Sequence, residues 1–263
     1  MRKVVMFTGV LMVSLIVSLA QAAVQGKEVD YSAEGVTLKG YFAYDDAVEG
    51  RRPGILVVHE WWGHNEYARK RARMLAELGY TALAVDMYGD GKQASHPDDA
   101  GKFAGEVAQN IPVARARFLA ALNFLKNDPT VDADKIAAIG YCFGGGVVLN
   151  MARMGVDLKG VVSFHGSLGT ENPAQPGAVK AKVLVCHGAA DSFVTAQQIE
   201  DFKKEMESAG VDYRFIAYEG AVHSFTNPDA DRYAKEFGLG VGYNAAADQK
   251  SWADMQEFFK KIF

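Results

Sequence analysis

Lys135-Ile136-Ala137-Ala138-Ile139-Gly140-Tyr141-Cys142-Phe143-Gly144-Gly145-Gly146 carries three signals in succession. An apolar run leads into a glycine-flanked turn, and small residues then open a helix. The spacing predicts a strand over Lys135–Gly140, a sharp turn at Cys142 and a helix just beyond it. A thiol at the tip of such a turn meets unpaired amides and the positive end of a helix dipole, surroundings that favour a thiolate. The glycines matter because a strained nucleophile turn brings its neighbours close together. A lone Gly-x-Cys-x-Gly also describes a buried cysteine in a glycine-rich turn, so the reading depends on partners elsewhere in the chain.

Outward from this segment, short apolar runs alternate with helical patterns, as in a mostly parallel sheet covered on both faces. The other strands are expected at Gly54–His59, Thr81–Asp86, Gly160–His165, Lys182–His187 and Tyr213–Tyr218. Val36–Tyr44 reads as an antiparallel edge strand paired with Val29–Tyr31. Asn65 and Thr195 stand where helix caps belong. Ala68, Ala72 and Leu75 form one inward stripe, with Gly79 as the stop. Ala114, Phe118, Ala121, Leu122 and Leu125 form a second behind Pro112, and Ile199, Phe202 and Met206 a third. Trp252, Met255, Phe259 and Ile262 make the last. These stripes are core and carry no chemistry.

A cysteine nucleophile needs a base, and the base needs a carboxylate to orient it. Val183-Leu184-Val185-Cys186-His187-Gly188 ends in Ala189-Ala190-Asp191, which places Asp191 in a loop at the sheet's C-terminal edge. Tyr213–Tyr218 is followed by Glu219-Gly220-Ala221-Val222-His223, so His223 lies in the loop after the final strand. Alone, Asp191 could be a turn residue and His223 an ordinary loop histidine. Together, nucleophile, acid and histidine follow the chain order of α/β-hydrolases. Of the other histidines, His96 is expected to be solvated and His64 to line the site rim. His165 and His187 end neighbouring strands and read as satisfied structural histidines. His59-Glu60 has no second ligand set and makes a poor metal site.

The 263 residues are 49% hydrophobic and 23% charged, with a net charge of −4, which fits one globular domain. No clustered basic face is present, which argues against a nucleic-acid partner. Arg2 and Lys3, the apolar run Val4–Ala20 and the small-residue exit Ala20-Gln21-Ala22 predict a signal peptide over residues 1–22. Residues 23–263 then form the single α/β-hydrolase domain. The mature protein is expected in the periplasm or secreted, without stable membrane insertion. Export would put Cys142 and Cys186 where disulfides are favoured. Both are expected to stay free, because a strand lies between their positions and a bridge needs Cα atoms within about 7 Å.

From about residue 27 onward the chain resembles the dienelactone hydrolase family of cysteine-dependent α/β-hydrolases. The resemblance rests on Val57-Val58-His59-Glu60-Trp61-Trp62-Gly63-His64-Asn65, Ala84-Val85-Asp86-Met87-Tyr88-Gly89, Gly140-Tyr141-Cys142-Phe143-Gly144-Gly145, Asp191 and Ala221-Val222-His223-Ser224-Phe225. It implies that Glu60 sits beside the thiol and helps hold it in a resting arrangement. The backbone amides of Trp61 and Phe143 would supply the oxyanion hole. Family members that cleave dienelactones use two arginines for the substrate carboxylate. Here Tyr88 leads into Gly89-Asp90-Gly91 and His223 into Ser224-Phe225-Thr226-Asn227, with no arginine at either place. Trp62, Tyr88 and Phe225, with Trp61, therefore suggest an apolar pocket for a neutral substrate.

The expected activity is hydrolysis of a small-molecule carboxylic ester or lactone by acyl transfer, with no cofactor and no metal. Cys142, His223 and Asp191 would carry it, with Glu60 as a second proton partner. Thioester or peptide cleavage, acyl transfer to another acceptor, or a non-catalytic ligand-binding role are the alternatives the same triad leaves open.

Overall fold

Ten consecutive residues, Val24–Ala33 (β1), open the computed structural model, which describes residues 24–263. The signal-peptide expectation for residues 1–22 lies outside the described residues. Next in order come β2 (Val36–Asp45), β3 (Arg52–Val58), α1 (Glu66–Glu77), β4 (Thr81–Val85), α2 (Pro97–Ala108) and α3 (Ile111–Lys126). They are followed by β5 (Val131–Tyr141), α4 (Phe143–Arg153), β6 (Gly160–Phe164) and β7 (Lys182–Gly188). The chain ends with α5 (Ala196–Ser208), β8 (Tyr213–Tyr218), α6 (Ala230–Phe237) and α7 (Ala245–Ile262).

Among the described residues the strands form one eight-stranded sheet, ordered β1-β2-β4-β3-β5-β6-β7-β8. β1 pairs antiparallel with β2, and β2 with β4; every other pairing is parallel. This is the α/β-hydrolase arrangement. The central strands are apolar throughout because both faces are covered. Ile55 and Val57 of β3 pack with α1 and α7, whereas Leu56 and Val58 face the opposite cluster built on α3 and α4. The period-two alternation thus feeds two cores, one on each side of the sheet. Each fully buried aliphatic side chain contributes roughly 1.5–3 kcal/mol relative to exposure.

The topology also decides where a ligand can bind. From β3 the chain turns through α1 to β4 on one side, whereas from β5 it turns through α4 to β6 on the other. Such a switch point leaves a crevice beyond the carboxyl ends of two adjacent strands. Here the residues at its lips are Glu60-Trp61 after β3 and Cys142-Phe143 after β5.

The helix caps fall where the sequence puts them. Asn65 caps α1, accepting from the Ala68 amide, and Thr195 forms a reciprocal capping box with Gln198. Two helices, α2 and α6, have no counterpart in the sequence expectations. α2 begins at Pro97 with His96 as its cap; the imidazole is exposed, as expected, and accepts from the Asp98 amide. α6, only eight residues long, follows the His223 loop. His64 corrects an expectation. It is 1% exposed, with both ring nitrogens buried and unpartnered, so it does not line an open rim.

Candidate active site

Cys142 joins β5 to α4 with φ 52° and ψ −115°, a region that costs a non-glycine residue about 1–3 kcal/mol. Its surroundings leave no alternative. A Cβ at Gly140 would lie 2.0 Å from the Gly144 carbonyl oxygen, and one at Gly144 would lie 2.3 Å from that of Val58. These contacts show α4 pressed directly onto the ends of β3 and β5. The Cys142 amide donates to the Phe164 carbonyl at 3.0 Å and to His165 Nδ1 at 3.1 Å. The sulfur makes no capping bond to α4, which frees it to face the histidine.

His223 Nε2 lies 3.1 Å from Cys142 Sγ, and its Nδ1 donates to Asp191 Oδ2 at 2.8 Å. Strand ends deliver all three groups. Asp191 follows β7, where the Ala190 amide donates to the Ala221 carbonyl and so ties the acid loop to the histidine loop. Behind His223, its carbonyl accepts from the Gly242 amide. His223 and Asp191 are both 7% exposed, while Cys142 is half-buried. Burial alone would lower the His223 pKa, but the facing Cys142 sulfur and the Asp191 carboxylate outweigh it and raise the value to about 10. The imidazole therefore holds its proton through the neutral range.

Glu60 sits at the β3 lip, 2% exposed, and burial pushes its carboxyl pKa up, against the pull of the Asn227 amide and the His223 charge. Its Oε2 accepts from Asn227 Nδ2 at 2.5 Å. The resemblance placed Glu60 beside the thiol; its hydrogen bond in this structure goes to Asn227, and the thiol's goes to His223. Asn227, in the loop after His223, gives its side-chain amide to Glu60.

His59 shapes the proposed oxyanion hole. Its Nε2 accepts from the Met87 amide at 3.2 Å, which leaves Nδ1 to donate to the Glu60 carbonyl at 2.6 Å. That carbonyl shares a peptide plane with the Trp61 amide, so pinning one aims the other the opposite way. The His59 carbonyl accepts from the Gly144 amide at 3.1 Å, which links the β3 lip to the first turn of α4. Phe143, the first residue of that helix, has no earlier carbonyl in the helix to bond. Its ring stacks on His59 at 5.8 Å.

The expected pocket aromatics are displaced from that role. Phe225 is fully buried against His165 and Tyr218. Trp62, 3% exposed, stacks on Tyr233 of α6 at 4.3 Å. Tyr88, 4% exposed, donates its hydroxyl to the Trp61 carbonyl. All three back the site instead of forming an open wall, because large aromatics close to a sheet edge are worth more buried than exposed. The exposed aromatic beside the histidine is Phe193, which no sequence periodicity marks.

His165 is buried and satisfied, as expected. With Nδ1 accepting from Cys142, its Nε2 donates to Thr226 Oγ1 at 2.7 Å. The Thr226 hydroxyl also meets Tyr67, and Arg71 binds the Thr226 carbonyl and Asp248. A buried polar chain therefore runs from the nucleophile's backbone to α7. His187 is less complete, with Nδ1 buried and unpartnered. Both cysteines are free, and β6 separates their strands.

Comparison with known proteins agrees with this architecture. The model of the dienelactone hydrolase family matches residues 38–263. Protein usf of Aquifex pyrophilus is 28% identical over 246 residues, covering 90% of this chain and 98% of that one. A putative carboxymethylenebutenolidase of Methylorubrum extorquens is 29% identical over 222 residues, covering 81% of this chain and 73% of that one. A crystal structure of a dienelactone hydrolase-like promiscuous phosphotriesterase from metagenomic libraries shares 38% identity and a TM-score of 0.86. The match covers 92% of this chain and 99% of that chain.

Proposed function

The chain belongs to the dienelactone hydrolase family and acts on ester or lactone bonds, and we propose that it does so by acyl transfer through Cys142 on uncharged substrates. The observation that carries the reading is the line of contacts from Cys142 Sγ to His223 Nε2 and from His223 Nδ1 to Asp191 Oδ2, at 3.1 and 2.8 Å. The thiolate attacks the carbonyl carbon, and the resulting oxyanion is held by the Trp61 and Phe143 amides. As the tetrahedral intermediate collapses, His223 gives its proton to the leaving oxygen, and a thioester remains on Cys142. His223 then takes a proton from water, which attacks the thioester, and the acid departs as the thiolate reforms. Asp191 keeps the imidazole oriented throughout. Glu60, whose carboxyl pKa burial pushes up, is a second proton partner at the β3 lip.

The substrate preference follows from missing charge. Neither family arginine position offers a cation, and Asn227 is occupied by Glu60. Arg232 is engaged by Asp229 and Glu236. Losing a charge-assisted hydrogen bond to a carboxylate costs about 1.5–3 kcal/mol, or one to two decades in specificity. A panel of aryl esters and of neutral and carboxylate-bearing lactones, assayed with wild type and Cys142→Ala side by side, tests both points. Turnover is expected only in wild type, with kcat/KM for the neutral lactone about tenfold or more above its anionic counterpart. An anionic preference of that size contradicts the neutral site.

Export is part of the same proposal, supported by Arg2, Lys3, the apolar run to Ala20 and the Ala20-Gln21-Ala22 exit. No helix among the described residues is long and apolar enough to cross a membrane. The intact mass of the exported protein should lack residues 1 to about 22; a mass retaining them contradicts cleavage.

A further inference from the structure

Phe193 is 53% exposed, and among the described residues only Leu78 joins it as an exposed large hydrophobic side chain. Leu78 closes α1 as its C-cap. Phe193 instead stands at the reaction centre, its ring centroid 4.8 Å from that of His223. Its position is built. The Phe193 amide donates to Asp191 Oδ1 at 2.8 Å, so the carboxylate that orients the imidazole also holds this residue. Gly240 borders the ring. A Cβ there would lie 3.5 Å from Phe193 Cε2, an ordinary packing distance, and Gly240 does not have the positive φ that would demand glycine. The absence of a side chain at 240 therefore leaves the ring edge uncovered.

The chemistry says what belongs beside it. Resting on the acyl-transfer reading, His223 delivers its proton to the departing oxygen, so the alcohol half of the ester leaves on the His223 side. We propose that Phe193 forms the leaving-group subsite and selects esters of flat, apolar alcohols, above all aryl alcohols. Such a ring packs against Phe193 in an offset or edge-on arrangement, covering apolar surface that water otherwise meets. A short alkyl alcohol reaches the same oxygen position without covering the ring.

Phenyl acetate and ethyl acetate isolate this effect, because both leave the same acetyl group on Cys142. In Phe193→Ala, kcat/KM for phenyl acetate should fall about tenfold while that for ethyl acetate stays within about twofold. The inhibition constant of phenol as a product should rise in parallel. Gly240→Val, which covers the ring edge and leaves Phe193 in place, should reproduce the aryl-selective loss. Equal losses for both esters would mean that the ring serves His223 and not the alcohol, and unchanged values would mean that it serves neither; each overturns the proposal. Failure of the acyl-transfer reading looks different: Cys142→Ala would keep turning over both esters.

Discussion

His59 commits both ring nitrogens to backbone groups, and through them to the direction of the Trp61 amide. Burial lowers its pKa and so favours the neutral ring, and the Met87 contact implies the tautomer with the proton on Nδ1. This places His59 as a positioning residue that never touches substrate. His59→Phe preserves the ring packing on Phe143 and Tyr88 while removing both hydrogen bonds. Its kcat should fall roughly tenfold to hundredfold with KM nearly unchanged, since an oxyanion donor acts on the transition state. Stability should fall by about 1–3 kcal/mol from the unpaired Met87 amide, since the Glu60 carbonyl keeps the Gly63 amide as a donor. His59→Gln, which can donate and accept, should recover part of the kcat. A KM effect without a kcat effect contradicts the positioning role. Sequence alone did not expose this residue: His59 reads as one half of a poor metal pair, and its work depends on a backbone amide 28 positions away.

The strand–turn–helix around Cys142 was the most legible element, because its signal is local. Glycine at 140, 144 and 145 reports close backbone approach wherever it occurs between a strand and a helix, and the contacts at those positions bear this out. Strand positions in the parallel sheet were also readable to within a few residues, since two-face burial leaves apolar runs with sharp ends. The longest miss there is β5, which begins at Val131, ahead of Lys135, because Asp132-Ala133-Asp134 is half-buried to exposed chain without an apolar run, although Val131 and Asp132 pair with Arg52 and Pro53 of β3. α2 and α6 escaped for a related reason. α2 buries only Ala100 and Val107, and α6 only Ala230, too little to print a stripe. At this scale the account predicts that Gly144→Ala cannot be accommodated by a side-chain adjustment, because the clash is with the Val58 and His59 carbonyls. Destabilisation of about 1–3 kcal/mol is expected, together with loss of esterase activity as α4 shifts the nucleophile. Thermal unfolding and turnover measured on the same preparation check it; a variant of wild-type activity contradicts the tight elbow.

Over the whole molecule, three loops separated by up to 81 residues meet at one crevice because the sheet order brings their strand ends together. The chain order of nucleophile, acid and histidine made the meeting legible, since each residue could be assigned to a strand end before any distance was known. The same reasoning kept Cys142 and Cys186 apart, with β6 between them. The substrate-facing surface was not legible. Trp62, Tyr88 and Phe225 look like pocket residues by type and neighbourhood, but their burial depends on tertiary packing, such as Trp62 on α6 and Tyr88 on Phe103 of α2, which no local pattern encodes. The central claim is that Cys142 carries the acyl group. Rapid quenching of wild type with phenyl acetate, followed by peptide mass spectrometry, tests it most directly. The account predicts one acetyl group, on the peptide containing Cys142, and none on Cys186, whose fully buried thiol is pushed up to about 12. An acetyl group on any other residue, or turnover without one in Cys142→Ala, would contradict it.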